Sequence, residues 1–395
     1  MLENLTPQKP DALLALIKMH AADDRSDKID LGVGVYRTGD GDTPVFRSIK
    51  AAEERLLGKQ TSKAYLGPEG DMGFVHALMP YLFGKDDPAK GGRIDGMQTP
   101  GGTGAVRLAL AVARSAGITR VHIGEPSWPN HAQIIDDLGL ERAPFDHASD
   151  GRANIDALLT LIEQAGEGEA VLLHGCCHNP TGIDYTDADW DRIADAFAGS
   201  KALPILDVAY QGLGRGFDED AYGVRQVTAK VDEALICYSC DKNFGLYRDR
   251  VGAFYVLAKN ADDLELVLSN ASALARANWS MPPDHGAAAV REILEDEGLT
   301  ADWLDEVGSM RERLGDMRAT LAGADNRISG LELSRLADQF GLFALLKLSP
   351  EQIRSLREDH AIYMAGSGRI NVAGLTRGNI DKFVDALAQV TSSSD

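Results

Sequence analysis

Lys242 lies in Tyr238-Ser-Cys-Asp-Lys-Asn-Phe-Gly245, directly after the apolar run Ala234–Cys237. An amine between a buried strand and a glycine turn is poorly placed for plain solvation. Partial burial lowers an ammonium's pKa and frees the amine as a nucleophile, as Schiff-base chemistry requires. A surface lysine is the competing reading. Asp207 ends a second apolar run, Leu203-Pro-Ile-Leu206, and Tyr210 follows it. A carboxylate there is costly to bury unless a cation or donor meets it; a helix N-cap is the alternative. Gly101-Gly-Thr-Gly104 precedes an amphipathic stretch that opens at Ala105. Glycines let backbone N–H groups approach an anion, and a helix N-terminus adds partial positive charge, so this suits a phosphate. An ordinary glycine turn competes, and the spacing matches neither GxGxxG nor GxxxxGKS. His174-Gly-Cys-Cys-His-Asn-Pro-Thr-Gly182 follows a third apolar run. His-x-x-x-His aligns metal ligands only on a helix, and Gly175 and Pro180 argue against one. A polar turn carrying Asn179 toward a ligand is the better reading. Cys237 and Cys240 sit at the end of a strand, where residues three apart point to opposite faces, and no second Cys-x-x-Cys exists.

The elements that must position these groups alternate. Val121–Ile123, Ala170–Leu173, Leu203–Leu206, Ala234–Cys237 and Ala253–Leu257 read as buried strands. Amphipathic stretches at Ala105–Ser115, Asn154–Gln164 and Asp187–Ala198 lie between them. Continuous apolar strands alternating with helices predict an α/β domain with a mostly parallel sheet. In such a sheet ligands bind outside the carboxyl ends of the strands, where all four candidates fall. The expected division is an N-terminal arm with part of a small domain over 1–44, a large domain over 45–305 and a small α+β domain over 306–395. The small domain is expected to hold a helix over about Asp302–Leu321, strand-like pieces at Leu342–Leu346, Ala361–Ala365 and Arg369–Val372, and a final helix near Asn379–Val390.

The chain has 395 residues, 44% hydrophobic and 25% charged, which is a globular composition. Sixty acidic against forty basic residues leave a net charge of −20, which disfavours nucleic acid and anionic membranes as partners. No apolar run reaches the roughly 18 residues of a membrane span, and no basic-then-apolar leader opens the chain. Four cysteines fit a reducing compartment, so a cytoplasmic location is expected. In chain order the candidates are an anion loop, an asparagine turn, an aspartate with a tyrosine, and a lysine. Together they supply what pyridoxal 5′-phosphate needs: a phosphate cradle, an anion for the ring nitrogen and an amine for the aldehyde.

With these residues go Asp30-Leu-Gly-Val-Gly-Val-Tyr-Arg37, Pro126-Ser-Trp-Pro-Asn-His131, Arg276-Ala-Asn-Trp-Ser280 and Gly368-Arg-Ile-Asn-Val-Ala-Gly374. The set closely resembles the class I aminotransferases of fold type I, in the aspartate and aromatic amino acid subgroup, over nearly the whole length. The resemblance implies the fold-type-I architecture, with a large domain built on a mostly parallel sheet of the seven-stranded type sandwiched by helices. It implies Lys242 as the Schiff-base lysine, Asp207 against the pyridinium nitrogen with His131 behind it, and Asn179 and Tyr210 on the phenolic oxygen. It implies Trp128 stacked on the ring, and Gly102, Thr103, Ser239 and Arg250 on the phosphate. Tyr65 would reach the phosphate of a neighbouring subunit, which implies a homodimer with shared sites. Arg369 would hold the substrate α-carboxylate, with Gly34 beside the substrate, and Arg276 of a partner subunit would hold a distal carboxylate. Two planar guanidiniums at opposite ends of a pocket select a diacid. The implied activity is ping-pong amino transfer between aspartate, glutamate or aromatic amino acids and 2-oxoglutarate, with free amino acids and 2-oxo acids as the small-molecule partners.

Three departures qualify the resemblance. Aspartate-specific members usually carry an amide at the positions of Met281 and Ala64; apolar groups there lower the desolvation cost of admitting a ring. Asp241 stands where a serine is common, placing an extra carboxylate beside the amine. Leu342–Leu346 is unusual for the family. The rivals are a strictly aspartate-specific aminotransferase, a fold-type-I decarboxylase acting at Cβ, a metal hydrolase using His174, His178 and Asp207, and a catalytically silent coenzyme-binding protein.

Overall fold

The computed structural model describes residues 2–7, 12–87, 89–328 and 330–392. The chain forms two compact units, one of Pro44–Glu312 and one of Met1–Thr43 with Arg313–Asp395.

The larger unit is built on a sheet of seven strands: β1 (Ile94–Pro100), β2 (Arg120–Glu125), β3 (Glu141–Asp146), β4 (Glu169–His174), β5 (Leu203–Val208), β6 (Ala234–Ser239) and β7 (Val251–Leu257). Their order is β1-β7-β6-β5-β4-β2-β3. Only β7 runs against its neighbours, β1 and β6; the other pairings are parallel. The five expected strands are β2 and β4 to β7. Strands β6 and β7 are buried at every position, as covering both faces of a sheet requires. The helix Gly101–Ser115 packs on β1, β5, β6 and β7. Its apolar residues join a core with Val121, Ile123, Leu172, Ile205, Leu235, Phe254 and Val256.

Two strands lack the apolar run that marks the others. Strand β3 is an edge strand with four of its six positions exposed and none buried, and it accommodates Pro144 because, among the described residues, nothing pairs beyond it. Strand β1 is buried yet polar. Gln98 within it is fully buried because its amide is used: Nε2 donates to Pro283 O at 2.6 Å and Oε1 accepts from Asp71 N at 2.8 Å.

Gly101-Gly-Thr-Gly104 is itself the first turn of a helix, and not a loop before one as its glycine content suggests. Gly101 enters it at φ +72°. A Cβ on Gly102 would lie 2.8 Å from Ser239 Cβ, so close packing against β6, and not chain flexibility, demands glycine there.

In the smaller unit Ile29–Asp30 pairs in parallel with Ile362–Tyr363, and Phe343–Leu345 pairs antiparallel with Arg369–Asn371. The N-terminal segment is thus tied to C-terminal strands. The C-terminal helix Ile380–Ser392 buries Phe383, Val384, Leu387 and Val390 along one stripe. The helix expected in the small domain over 302–321 spans Glu297–Gly323, and its residues up to Glu312 belong to the larger unit. Among the described residues no helix is long and apolar enough to cross a membrane.

Candidate active site

Register brings the strand ends together. His174 pairs with Asp207, Asp207 with Cys237, Ser239 with Gly252, and Val251 with Pro100. The carboxyl ends of β1, β4, β5 and β6 therefore share one edge. There a pocket is lined by Gly102, Thr103, Trp128, His174, Asn179, Asp207, Ala209, Tyr210, Ser239, Asp241 and Lys242. Eight of the expected site residues are in that lining.

Lys242 is 19% exposed; its Nζ stands 4.0 Å from Asp241 Oδ2 and 5.2 Å from the centre of the Tyr210 ring. Burial pulls its ammonium below the ordinary lysine range. The charges of Asp241 and Asp207 oppose that pull, and Arg250 adds to it. Asp207 is buried and accepts from His131 Nε2 at 2.8 Å. With that proton on Nε2, His131 Nδ1 is an acceptor for the Ser127 hydroxyl at 3.1 Å. Ser127 Oγ is also 3.1 Å from His174 Nε2, which completes a line of donors ending at the carboxylate. His174 in turn tilts against His178 at 4.3 Å between ring centres, and His178 stacks on His147 at 3.5 Å. Burial holds His147, His174 and His178 below the ordinary histidine range, so these three imidazoles stay neutral.

The first turn of Gly101–Ser115 and Ser239 also line the pocket, and Arg250, outside the lining itself, stands behind them against Gly101 and Asp241. The Arg250 guanidinium lies against Gly101, where a Cβ would come within 2.6 Å of Nη2. Arg250 Nη1 donates to Asp241 Oδ2 at 2.6 Å and to Tyr247 O at 3.0 Å. Arg250 also holds a left-handed φ of +56°, a local strain of the kind found where a side chain must be aimed. Trp128, the residue preceding the helix Pro129–Asp137, meets the His131 ring edge-on at 5.1 Å.

The remaining expected residues lie outside this lining. Tyr65 is 92% exposed. Arg276, also exposed, lies in the last turn of the helix Ala261–Asn278, and its guanidinium donates to the Ser280 hydroxyl. Gly34 and Arg369 belong to the smaller unit. There the Phe343 ring fills the space a Cβ on Gly34 would take, at 2.8 Å, and the Arg369 guanidinium lies 4.4 Å over the same ring. Phe343 thus gives the unusual segment 342–346 a role in setting Arg369. Ser127 escaped sequence reasoning altogether, and its only signal was the motif around Trp128. His174 was visible only as one end of a metal-like spacing.

The donor set and its shape fit pyridoxal phosphate: a buried carboxylate, a phenol and an amine line one pocket whose far end is a helix N-terminus that tolerates no Cβ at Gly101 or Gly102. A fold-type-I sheet carrying such a lysine at its carboxyl edge defines a coenzyme-dependent transferase. Residues 26–387 match the family described as aminotransferase class I and II, and the chain belongs to that family, whose members depend on pyridoxal phosphate.

Over 95% of its length the chain is 46% identical to a tyrosine aminotransferase of Rhizobium meliloti, covering 96% of it. It is 40% identical to an aspartate aminotransferase of Escherichia coli over 99% of its own length and all of the other's. Among solved structures it is similar to an aromatic-amino-acid aminotransferase from Burkholderia pseudomallei covalently bound to pyridoxal phosphate. The TM-score is 0.95 at 33% identity, with 99% of each chain covered.

Proposed function

We propose that this transaminase moves the amino group between aspartate, glutamate or aromatic amino acids and 2-oxoglutarate, in two half-reactions of ping-pong order. The observation that carries the reading is the convergence of Lys242, Asp207 and the Gly102–Thr103 turn on one pocket at the sheet's carboxyl edge. Pyridoxal phosphate, when bound, supplies a carbonyl that condenses with amines and a ring that draws electrons from the substrate's Cα. Lys242 would anchor it and, once displaced by the substrate amine, would hold and move a proton at Nζ. Burial favours the free base that this transfer needs. Asp207 would hold a proton on the ring nitrogen by its negative charge, and His131 fixes the carboxylate's direction. Asn179 and Tyr210 would orient the phenolic oxygen and Trp128 would cover the ring. Gly102, Thr103, Ser239 and Arg250 would hold the phosphate. Arg369 would clamp the substrate α-carboxylate in bidentate fashion beside Gly34.

The reading extends to a homodimer in which Tyr65 and Arg276 serve the neighbouring site. Its support is the exposure of Leu57, Tyr65 and Leu66, at 88%, 92% and 53%, on the unit that carries the pocket. Acceptance of aromatic substrates is supported by the neighbourhood of Ala64 and Met281, where Leu66 N reaches Met281 Sδ at 3.2 Å and neither side chain is an amide. Work in the cytoplasm is supported by four free, buried thiols.

Spectroscopy with steady-state kinetics tests the reading. The purified chain should absorb in the visible with coenzyme bound, and the band should shift on adding glutamate. Lys242→Ala should lose the lysine-bound form. Arg276→Ala should depress kcat/KM for aspartate far more than for phenylalanine. A protein that stays colourless with excess coenzyme would overturn the whole reading. A kcat/KM for tyrosine and phenylalanine about a thousandfold below that for aspartate would overturn the aromatic part.

A further inference from the structure

The phosphate end of the pocket holds a carboxylate that amino transfer does not use. Asp241 is 4% exposed and lines the pocket beside Gly102, Thr103 and Ser239. Its Oδ2 is committed to Arg250 Nη1 at 2.6 Å, with Lys242 Nζ at 4.0 Å from the same oxygen. Its Oδ1 is buried and, among the described residues, has no hydrogen-bond partner. The neighbouring Cys240 thiol is buried and pushed up by burial and by the Asp241 charge, so it brings no second anion. The charge of Lys242 is shared with Asp207, so Arg250, at 2.6 Å against 4.0 Å for Lys242, is the principal counter-charge of Asp241.

Two consequences follow from charge and donor balance. The cation of the cradle is already matched by an anion, so a doubly charged phosphate gains less attraction here than a lone arginine would provide. A fully ionised phosphate also brings acceptors only, and leaves Oδ1 of the Asp241 carboxylate without a donor. A phosphate that keeps one proton brings an O–H donor, the partner this buried oxygen lacks. We propose that Asp241 makes the cradle selective for a phosphate carrying one proton, whose O–H donates to Asp241 Oδ1, so that loading the coenzyme takes up a proton from solvent. The second ionisation of a phosphate monoester falls near pH 6, so the proton is drawn in over the neutral and alkaline range. The proposal rests on the reading of this pocket as a pyridoxal phosphate site. It goes beyond that reading in assigning Asp241 the choice of ionic form.

Phosphate and sulfate test it, because they are similar in size and only phosphate keeps a proton near neutral pH. Calorimetry on the full-length apoprotein at about pH 7 should find inorganic phosphate bound at least about tenfold more tightly than sulfate. Asp241→Ser, which replaces the acceptor with a hydroxyl donor, should remove that preference. Asp241→Asn, of the same size, should do likewise and serves if the serine variant folds poorly. In the holoenzyme the coenzyme's phosphorus-31 resonance should hold the monoanion position from about pH 6 to 8, and either variant should move it to the dianion position. Equal affinity for sulfate and phosphate in the parent protein, or a dianion resonance at pH 8, would overturn the proposal. A parent protein that discriminates phosphate from sulfate but takes up no coloured coenzyme would sustain Asp241's role and overturn the coenzyme reading.

Discussion

Replacing Gly101 by alanine would strike the phosphate cradle in two separable ways. Gly101 holds φ at +72°, a conformation that costs an alanine about 1–2 kcal/mol. The new Cβ would also stand 2.6 Å from Arg250 Nη2 and 2.9 Å from Cζ. Ordinary contact needs roughly 3.5 Å, so the guanidinium must retreat by about an ångström. That retreat breaks the 2.6 Å bond to Asp241 and withdraws the arginine from the helix N-terminus. If Arg250 holds the phosphate, the withdrawn guanidinium also loses a hydrogen bond to a charged group, worth about 1.5–3 kcal/mol, and coenzyme affinity should fall roughly 10- to 150-fold. Gly139→Ala is the control. It carries the same backbone strain at φ +67°, with no atom within 4 Å of the added Cβ. Urea unfolding of the two apoproteins should show a larger loss of stability for Gly101→Ala, by the broken Arg250–Asp241 bond, while titration with pyridoxal phosphate, followed in the visible, should show weakened uptake for Gly101→Ala alone. Equal coenzyme affinity in the two variants would refute the assignment of Arg250 and this turn to the phosphate.

Three further outcomes are expected. His131→Phe removes the donor that Asp207 accepts from in a buried site. It should cost about 1–3 kcal/mol in urea unfolding and loosen the coenzyme; unchanged stability would show that the pair carries no load. His147 is held at about 4, mainly by burial and against a hydrogen bond to Ile183 O, and His174 and His178 are lowered in the same direction. The unfolded chain binds protons that the folded one refuses. Stability should therefore be lost as pH falls from about 6.5 toward 4, by up to ~1.4 kcal/mol per pH unit for each group. A urea midpoint that is flat across that window would contradict it. All four thiols are buried and the burial of each pushes its ionisation upward, so a thiol reagent at pH 8 should label none of them before unfolding. Rapid labelling of native protein would show the strand ends to be open.

The strands at Ala170, Leu203, Ala234 and Ala253 were legible because covering a sheet on both faces leaves an uninterrupted apolar run. Strand β3 was hidden because this edge strand buries none of its six positions and so carries no apolar run. Strand β1 was hidden because Gln98 pairs its amide with Pro283 and Asp71, partners remote in sequence. Glycine content at 101–104 read as a loop, since the helix it opens tolerates glycine only through packing against Ser239. Lys242, Asp207 and Asn179 were legible for a local reason: polar groups directly after buried strands fall at the sheet's carboxyl edge whatever the strand order.

What the chain determined by itself, then, was the alternation of strand and helix, the polar residues at each strand's end, and through them the chemistry of an amine, a carboxylate and an anion cradle. What the tertiary structure alone decided was which ends adjoin. Strand order β6-β5-β4 sets Lys242 near Asp207, and close approach through Ser127 links His131 to His174. The left-handed turn at Arg250 delivers its guanidinium to Asp241. The division has a physical cause. Burial and periodicity act over a few residues and are written locally. Strand order and side-chain pairing are free-energy differences between whole arrangements of the chain, and no local segment carries them.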